Sequence, residues 1–306
     1  MKAAFIQKFG EPEVLTYGEL PDPVAGPGQV VVDVVAASIN GADPKVAAGE
    51  YKQVTFPVIL GRDFSGRVGA VGAGVSDLAV GDEVFGVLET GRDGTYCEKL
   101  AVGAAVVAKK PAGLSHVDAA ALALTGLTAI CAVEESLKLQ AGETILIQGG
   151  AGGVASFAIQ LAKHIGARVI STTSTANLDF VRSLGADQVI DYKTTDFARV
   201  VKGCDAVFET VGGEVATRSF DVLKPGGRAA FIASGAQAPK PARSDVTALR
   251  PAVPRTRKYM ERIAALVQSG AVRRPHVTTY SLADARKALQ VSADRHFRGK
   301  LVLNVR

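Results

Sequence analysis

Apolar and polar positions follow two different rhythms along this chain, and the change falls near Leu114. Before it, β-branched runs stand between glycines and prolines: Lys2–Ile6, Gln29–Ser38 (QVVVDVVAAS), the glycine-punctuated Gly61–Val75 and the short Val80–Val87. Short extended runs with turn residues between them predict a small barrel or curled sheet and not a parallel sheet. After Leu114, strand and helix patterns alternate. Ser115 can cap a helix whose first turn holds Asp118 and which continues through Val117–Ala123. Thr144–Gln148 reads as a buried strand. Val154–Ile165 reads as a helix with Val154, Phe157, Ala158, Leu161 and Ile165 on one face and Gly166 as its stop.

Further β-α units follow. Arg168–Thr172 is a strand, Leu178–Leu184 a helix ended by Gly185, and Gln188–Ile190, Ala206–Glu209 and Arg228–Ala233 are strands. Repeats of this length imply a parallel sheet with right-handed crossovers. The Pro-, Ala- and Arg-rich stretch 235–254 admits one edge strand near Val246–Leu249. Thr256–Gly270 is an amphipathic helix, and Lys300–Val305 a last strand. The parallel-sheet segment thus lies between two segments expected to fold together.

Length agrees with this division, since 306 residues exceed the usual single domain and favour two domains sharing one cleft. Thirty-three glycines point to many tight turns and close backbone approaches. The 35 Lys and Arg against 30 Asp and Glu are scattered, apart from a basic zone between Arg243 and Arg274. Such a mild excess suits an anionic cofactor and is a weak nucleic-acid footprint, so no nucleic-acid partner is expected. Cys97, Cys131 and Cys204 are too few and too far apart for a disulfide framework. No segment reaches the roughly 18 uninterrupted apolar residues of a membrane span, and the chain reads as cytoplasmic.

The chemistry concentrates in Gln148–Ser156 (QGGAGGVAS), which follows a predicted strand and opens a predicted helix. Gly150, Gly152 and Ala155 fit G-x-G-x-x-A. A glycine in the turn lets backbone approach a pyrophosphate, a small Ala155 lets the helix pack on the strand, and helix-start N–H groups face the phosphates. About 20 residues past these glycines, an acid would hold a ribose 2′-OH and indicate NAD. Here Ser171, Thr172, Thr173, Ser174 and Thr175 supply hydroxyls and nothing that repels a 2′-phosphate, which favours NADPH. On their own these residues also read as turn chemistry and capping by Ser174. The four histidines lie far apart, and none pairs with a cysteine at ligand spacing, so no metal site is expected.

Taken together, Ser38–Asp43 (SINGAD), Gly61–Gly66 (GRDFSG), Val80–Phe85, Thr125–Ala129 (TGLTA), Gly149–Ala155, Leu184–Tyr192, Leu223–Gly227 and Arg298–Leu303 (RGKLVL) carry a resemblance over nearly the whole chain. The chain resembles the zinc-independent quinone oxidoreductase branch of the medium-chain dehydrogenase/reductases, which includes zeta-crystallin-like proteins. The resemblance implies a GroES-like β-rich catalytic domain (residues 1–117 with 259–306) and a doubly wound Rossmann NADPH-binding domain (118–258). Zinc-dependent relatives carry a cysteine near Asn40–Asp43 and Gly-His-Glu where this chain has Gly61-Arg62-Asp63, so both sets of metal ligands are missing.

The resemblance also implies roles. Asn40 would approach the nicotinamide ribose and Thr125 the nicotinamide. Gly149, Gly150, Ala151, Gly152, Gly153 and Val154 would form the pyrophosphate turn. Ser171, Thr172, Thr173, Ser174, Asn177 and Tyr192 would surround the adenosine ribose and its 2′-phosphate. Thr210, Val211, Ala233 and Ser234 would line the cofactor, and Phe297, Arg298 and Gly299 would close the nicotinamide side. Asn177 stands where a basic residue is often found, which leaves the 2′-phosphate to hydroxyls and Tyr192. Taken alone, Asn40 reads as a turn asparagine and Thr125 as a helix-interior hydroxyl.

The implied reaction passes a hydride from NADPH to a quinone or to the β-carbon of an α,β-unsaturated carbonyl. Without a metal, a hydrogen-bond donor must stabilise the developing oxygen charge, and Lys45 and Tyr51 are candidates by their place after Asn40–Asp43. The alternatives are reduction of enoyl thioesters, and an NADPH-binding protein without catalysis. A homodimer is expected if the edge strand near Val246–Leu249 pairs across a two-fold axis.

Overall fold

The structure, a computed structural model, describes residues 1–50, 55–89, 91–92, 94–233, 238–295 and 297–306. The chain divides into two compact units. The first comprises Met1–Leu124, Pro254–Gln268 and Arg274–Arg306, and the second Thr125–Val253 with Ser269–Arg273.

In the first unit the β-branched runs form β1 (Lys2–Ile6), β2 (Thr16–Glu19), β3 (Gln29–Ile39), β4 (Val58–Ile59), β5 (Asp63–Val71), β6 (Glu83–Val87), β7 (Lys99–Gly103) and β8 (Val107–Lys109), with a short helix α1 (Asp43–Ala47) after β3. The helix α2 (His116–Ile130) begins there as well. Ser115 caps it as its sequence predicts, accepting the N–H of Asp118 at 3.1 Å. With its π-helical continuation Cys131–Ser136, α2 is long and apolar enough to cross a bilayer by composition, but 89% of its most apolar window is buried inside the protein.

The second unit holds a six-stranded sheet in the order β11-β10-β9-β12-β13-β14. Its elements are β9 (Thr144–Ile147), α3 (Gly153–Ile165), β10 (Arg168–Thr173), α4 (Leu178–Ser183), β11 (Gln188–Asp191), α5 (Phe197–Val200), β12 (Cys204–Glu209), α6 (Gly213–Arg218), β13 (Leu223–Phe231) and β14 (Thr247–Leu249). All five pairings are parallel, and the order reverses between β9 and β12. This is the doubly wound arrangement expected of repeated β-α units. Gly166 ends α3 in the left-handed conformation (φ 94°), as its position predicts. Burial of α3 extends beyond the predicted face, with Ile159, Gln160 and Ala162 covered as well as Phe157, Ala158 and Leu161. Strands β9 and β10 pack on it, and so does the Cys131–Ser136 segment.

The chain then returns to the first unit as α7 (Arg257–Gln268), β15 (Val277–Ser281), α8 (Ala285–Asp294) and β16 (Lys300–Asn304). β16 pairs antiparallel with β3, Leu301 opposite Ile39 and Asn304 opposite Ala36, and it extends a seven-stranded sheet in the order β15-β16-β3-β5-β6-β8, with β7 also on β3. The expected joint folding of the two flanking segments is this ladder. Phe64, Leu60, Tyr96, Leu301 and Leu303 lie in one apolar core of this unit.

Gly61 shows how tightly that core is closed. It has φ +95°, and a Cβ there would lie 2.3 Å from both Thr95 Oγ1 and Tyr96 Cδ1. Gly61→Ala is expected to cost about 2 kcal/mol or more, read as a lower urea midpoint at unchanged slope.

Candidate active site

The strand order reverses between β9 and β12, and in open α/β sheets ligands bind outside the carboxyl ends of the strands at such a point. The turn leaving β9 is fixed by a web of hydrogen bonds. Gln148 N–H donates to Phe208 O (3.0 Å) and Gly150 N–H to Thr172 O (2.8 Å). Thr172 Oγ1 accepts from Gly149 N–H (3.2 Å) and donates to Gln148 Oε1 (2.6 Å). Thr210 Oγ1 donates to Gln148 O (2.8 Å). The turn, the end of β10 and the end of β12 are therefore one construction.

Two of its glycines differ in what surrounds them. A Cβ on Gly150 would meet Ser171 Oγ at 2.3 Å, so packing within the protein demands glycine there. On Gly152 the nearest atom would be Gly149 O at 3.4 Å, an ordinary contact. Gly152 is the N-cap of α3 with extended backbone (φ −77°, ψ 157°) and no side-chain cap. The first N–H groups of a helix have no intrahelical acceptor, and here they start beside a position kept bare for no internal reason. That is the form of a phosphate cradle. Ala151 and Ala155 are buried beside it.

Along β10 the structure sorts the predicted hydroxyls. Ser171 is buried and donates to Ile147 O at 2.7 Å, and Thr172 is engaged as above. These two hydroxyls hold the turn and point to internal partners. Thr173 is also buried. Beyond the strand, Ser174 Oγ accepts from Asn177 Nδ2 (3.1 Å) and makes no side-chain cap, which corrects the capping expectation. Tyr192 is exposed, its N–H donating to Thr173 O (3.0 Å). Ser174, Asn177 and Tyr192 thus stand together at the sheet's end. Val211 is exposed after β12, where Glu209 Oε1 accepts the N–H groups of Val211 (2.6 Å) and Gly212 (2.7 Å). Burial pushes the Glu209 carboxyl up and those two bonds pull it down. Ala233 follows β13, half-buried, while Ser234 lies outside the described residues.

The remaining candidates belong chiefly to the first unit. Asn40 follows β3 and is 9% exposed. Its N–H donates to Asp43 Oδ2 (2.8 Å), which also accepts from Tyr96 OH (2.6 Å). Its Nδ2 donates to Asp63 Oδ1 (3.0 Å), and its Oδ1 accepts from Lys300 Nζ (2.7 Å). Lys45 pairs with Glu50 at 3.7 Å, and Tyr51 lies outside the described residues. Thr125 is buried within α2. Phe297 packs against the core, Arg298 is half-buried, and Gly299 has φ +70° where a Cβ would meet His276 O at 2.0 Å.

Sequence reasoning gave no role to Lys300, Asp63 or Ser38, all of them buried in this cluster. All three do lie inside motifs that carried the resemblance, RGKLVL, GRDFSG and SINGAD. The cysteines Cys97 and Cys204 are buried, their thiols pushed up to about 12 by desolvation, as suits small core residues. Among the described residues, no three of His, Cys, Asp and Glu cluster to hold a metal ion.

Comparison with known proteins agrees with this construction. The family described as "Alcohol dehydrogenase GroES-like domain" matches residues 26–165, and that described as "Zinc-binding dehydrogenase" matches 184–303. The chain is 37% identical to a 2-methylene-furan-3-one reductase of Solanum lycopersicum, over 85% of this chain and 69% of that protein. It is 35% identical to an NADPH-dependent alkenal/one oxidoreductase, chloroplastic, of Arabidopsis thaliana, with the same coverage. The quinone oxidoreductase of Coxiella burnetii superposes with a TM-score of 0.94 at 33% identity, covering 100% of this chain and 99% of that one.

A GroES-like unit with a Rossmann unit carrying a phosphate-type turn defines a nucleotide-dependent oxidoreductase. More narrowly, the chain belongs to the medium-chain dehydrogenase/reductase superfamily, in the branch of the quinone oxidoreductases and alkenal/one reductases.

Because Gly152 has room in the protein itself, Gly152→Ala is expected to change unfolding stability by no more than about 1 kcal/mol. Titration calorimetry with NADPH should nonetheless show binding weakened about tenfold or more, the effect of roughly 1.4 kcal/mol of intrusion on the phosphates.

Proposed function

We propose that this protein is an NADPH-dependent, zinc-independent reductase of quinones or α,β-unsaturated carbonyl compounds. The observation that carries this reading is the Gly149–Val154 turn, braced by Thr172 and Thr210 and left bare at Gly152. The names of its relatives, with quinone, alkenal and enone reduction among them, support the choice of substrate class.

When bound, NADPH supplies the hydride for the quinone or for the enone β-carbon. Gly152, Gly153 and Val154 are to hold the pyrophosphate, while Gly149, Gly150, Ala151, Ser171, Thr172 and Thr173 give the turn and strand end their shape. Ser174, Asn177 and Tyr192 are to meet the adenosine ribose and its 2′-phosphate by hydrogen bonds, with no cation in the set. Thr210, Val211, Ala233 and Ser234 are to line the cofactor. Asn40 and Thr125 are assigned to the nicotinamide side with Phe297, Arg298 and Gly299, and Lys45 and Tyr51 are candidate donors to the substrate oxygen. Residues 1–117 with 259–306 then serve as the substrate domain and 118–258 as the cofactor domain.

Independence from zinc is supported by the cluster at Asn40. Asp63 already accepts from Ser38, Asn40 and the Leu124 N–H, and Lys300 brings a buried ammonium to the Oδ1 of the same Asn40. A divalent ion there would face a like charge and a carboxylate whose lone pairs are in use. The free, buried cysteines agree with a reducing compartment, which we take to be the cytoplasm. β14 is the last strand of its sheet among the described residues, which fits pairing of that edge with a second copy across a two-fold axis. Light scattering is expected to give twice the chain mass, and a monomer at micromolar concentration counts against the pairing.

The deciding experiment follows loss of nicotinamide absorbance with NADPH and NADH in parallel, against phenanthrenequinone, benzoquinone, an alkenal and a short enoyl thioester. A kcat/KM of at least about 10⁴ M⁻¹s⁻¹ for a quinone or alkenal is expected, higher with NADPH. Preference for the thioester would move the substrate class, and tight NADPH binding without turnover would leave a binding protein.

A further inference from the structure

Lys300 is the first residue of β16 and is only 4% exposed, an uncommon place for an ammonium. Its Nζ donates to Ile39 O (2.6 Å) and Asn40 Oδ1 (2.7 Å). On the other side of the same amide, Asn40 Nδ2 donates to Asp63 Oδ1 (3.0 Å) and Ser38 O (3.3 Å). Asp63 is in turn held by Ser38 Oγ (2.8 and 2.9 Å) and the Leu124 N–H (3.3 Å). Burial pulls the lysine down and pushes the aspartate up, while their opposite charges act against both shifts and the charge of Asp43 also acts against the lysine's.

An asparagine amide has two N–H donors and two carbonyl lone pairs. Both donors of Asn40 are engaged by Asp63 and Ser38, and one lone pair is engaged by Lys300. Turning the amide over would set its NH₂ against an ammonium and its oxygen against a carboxylate, an arrangement opposed from both sides. One acceptor lone pair is what this amide has left to offer.

We propose that Lys300 is a positioning residue: with Asp63 it locks the Asn40 amide so that it meets a bound molecule as an acceptor, selecting a hydroxyl group such as that of a ribose rather than a carbonyl or oxyanion. The identity of that molecule rests on the reductase reading; the locked amide does not. Lys300 thus acts through Asn40 and touches no reacting atom itself.

Two measurements test this. In isotope-labelled protein without cofactor, the Asn40 side-chain amide, assigned by its loss in Asn40→Asp, should give two distinct and slowly exchanging protons. Lys300→Met should speed their exchange about tenfold or more, and so should Lys300→Met/Asp63→Asn, which removes both buried charges together and retains the fold if the single variant does not. Exchange unchanged in a folded variant overturns the proposal.

The second measurement is a cycle of kcat/KM for NADPH. Lys300→Met should lower it about tenfold in the wild-type background and no more than about twofold in Asn40→Ala. Equal losses in both backgrounds would assign Lys300 a structural role and overturn the proposal. A wild-type protein that neither binds nor oxidises NADPH would sink the reductase reading alone, since amide exchange still decides the role of Lys300.

Discussion

The antiparallel ladder between β3 and β16 governs the first unit. It sets Leu301 against Ile39, Val302 against Ser38 and Leu303 against Ala37, so that Lys300 comes to the end of β3 beside Asn40. Each buried Leu or Val of this ladder contributes about 1.5–3 kcal/mol by removal from water, an upper figure if the unfolded chain is compact. Such burial offsets the several kcal/mol that sequestering an ammonium costs. Without the ladder there is no core behind Asn40 and no partner for its oxygen. β3 can carry this because its eleven residues also pair with β5 and β7.

In the second unit, register does comparable work. Parallel pairing of β9 with β10 and with β12 aligns the strand ends, so Gln148, Thr172 and Thr210 meet without long connections. Thr172 and Ser171 spend their hydroxyls inside the sheet, which stiffens the turn before any ligand arrives. Beyond that strand end stand Ser174, Asn177 and Tyr192, the three residues proposed to meet an adenosine ribose, and none of them carries a formal positive charge.

Much of this was legible in the sequence because it is written in local patterns. The glycine turn, the cap at Ser115, the stop at Gly166 and the edge strand near Val246–Leu249 each follow from the residues around them. What remained hidden depends on distant partners. Nothing near Lys300 marks it as buried, since a lysine opening an apolar strand usually reaches water; only the ladder to β3 encloses it. Ser171 and Ser174 look alike in sequence, and only strand register decides which hydroxyl turns inward.

The ladder also has a consequence for biosynthesis. The bond between Lys300 Nζ and Asn40 Oδ1 spans 260 positions, and the entire parallel sheet is encoded between its two ends. A nascent chain can complete that inserted sheet while β3 still lacks a neighbour, and domains generally fold as units in the order of synthesis. Until β16 is translated, β3 presents an apolar, unpaired margin of the kind that chaperones shield.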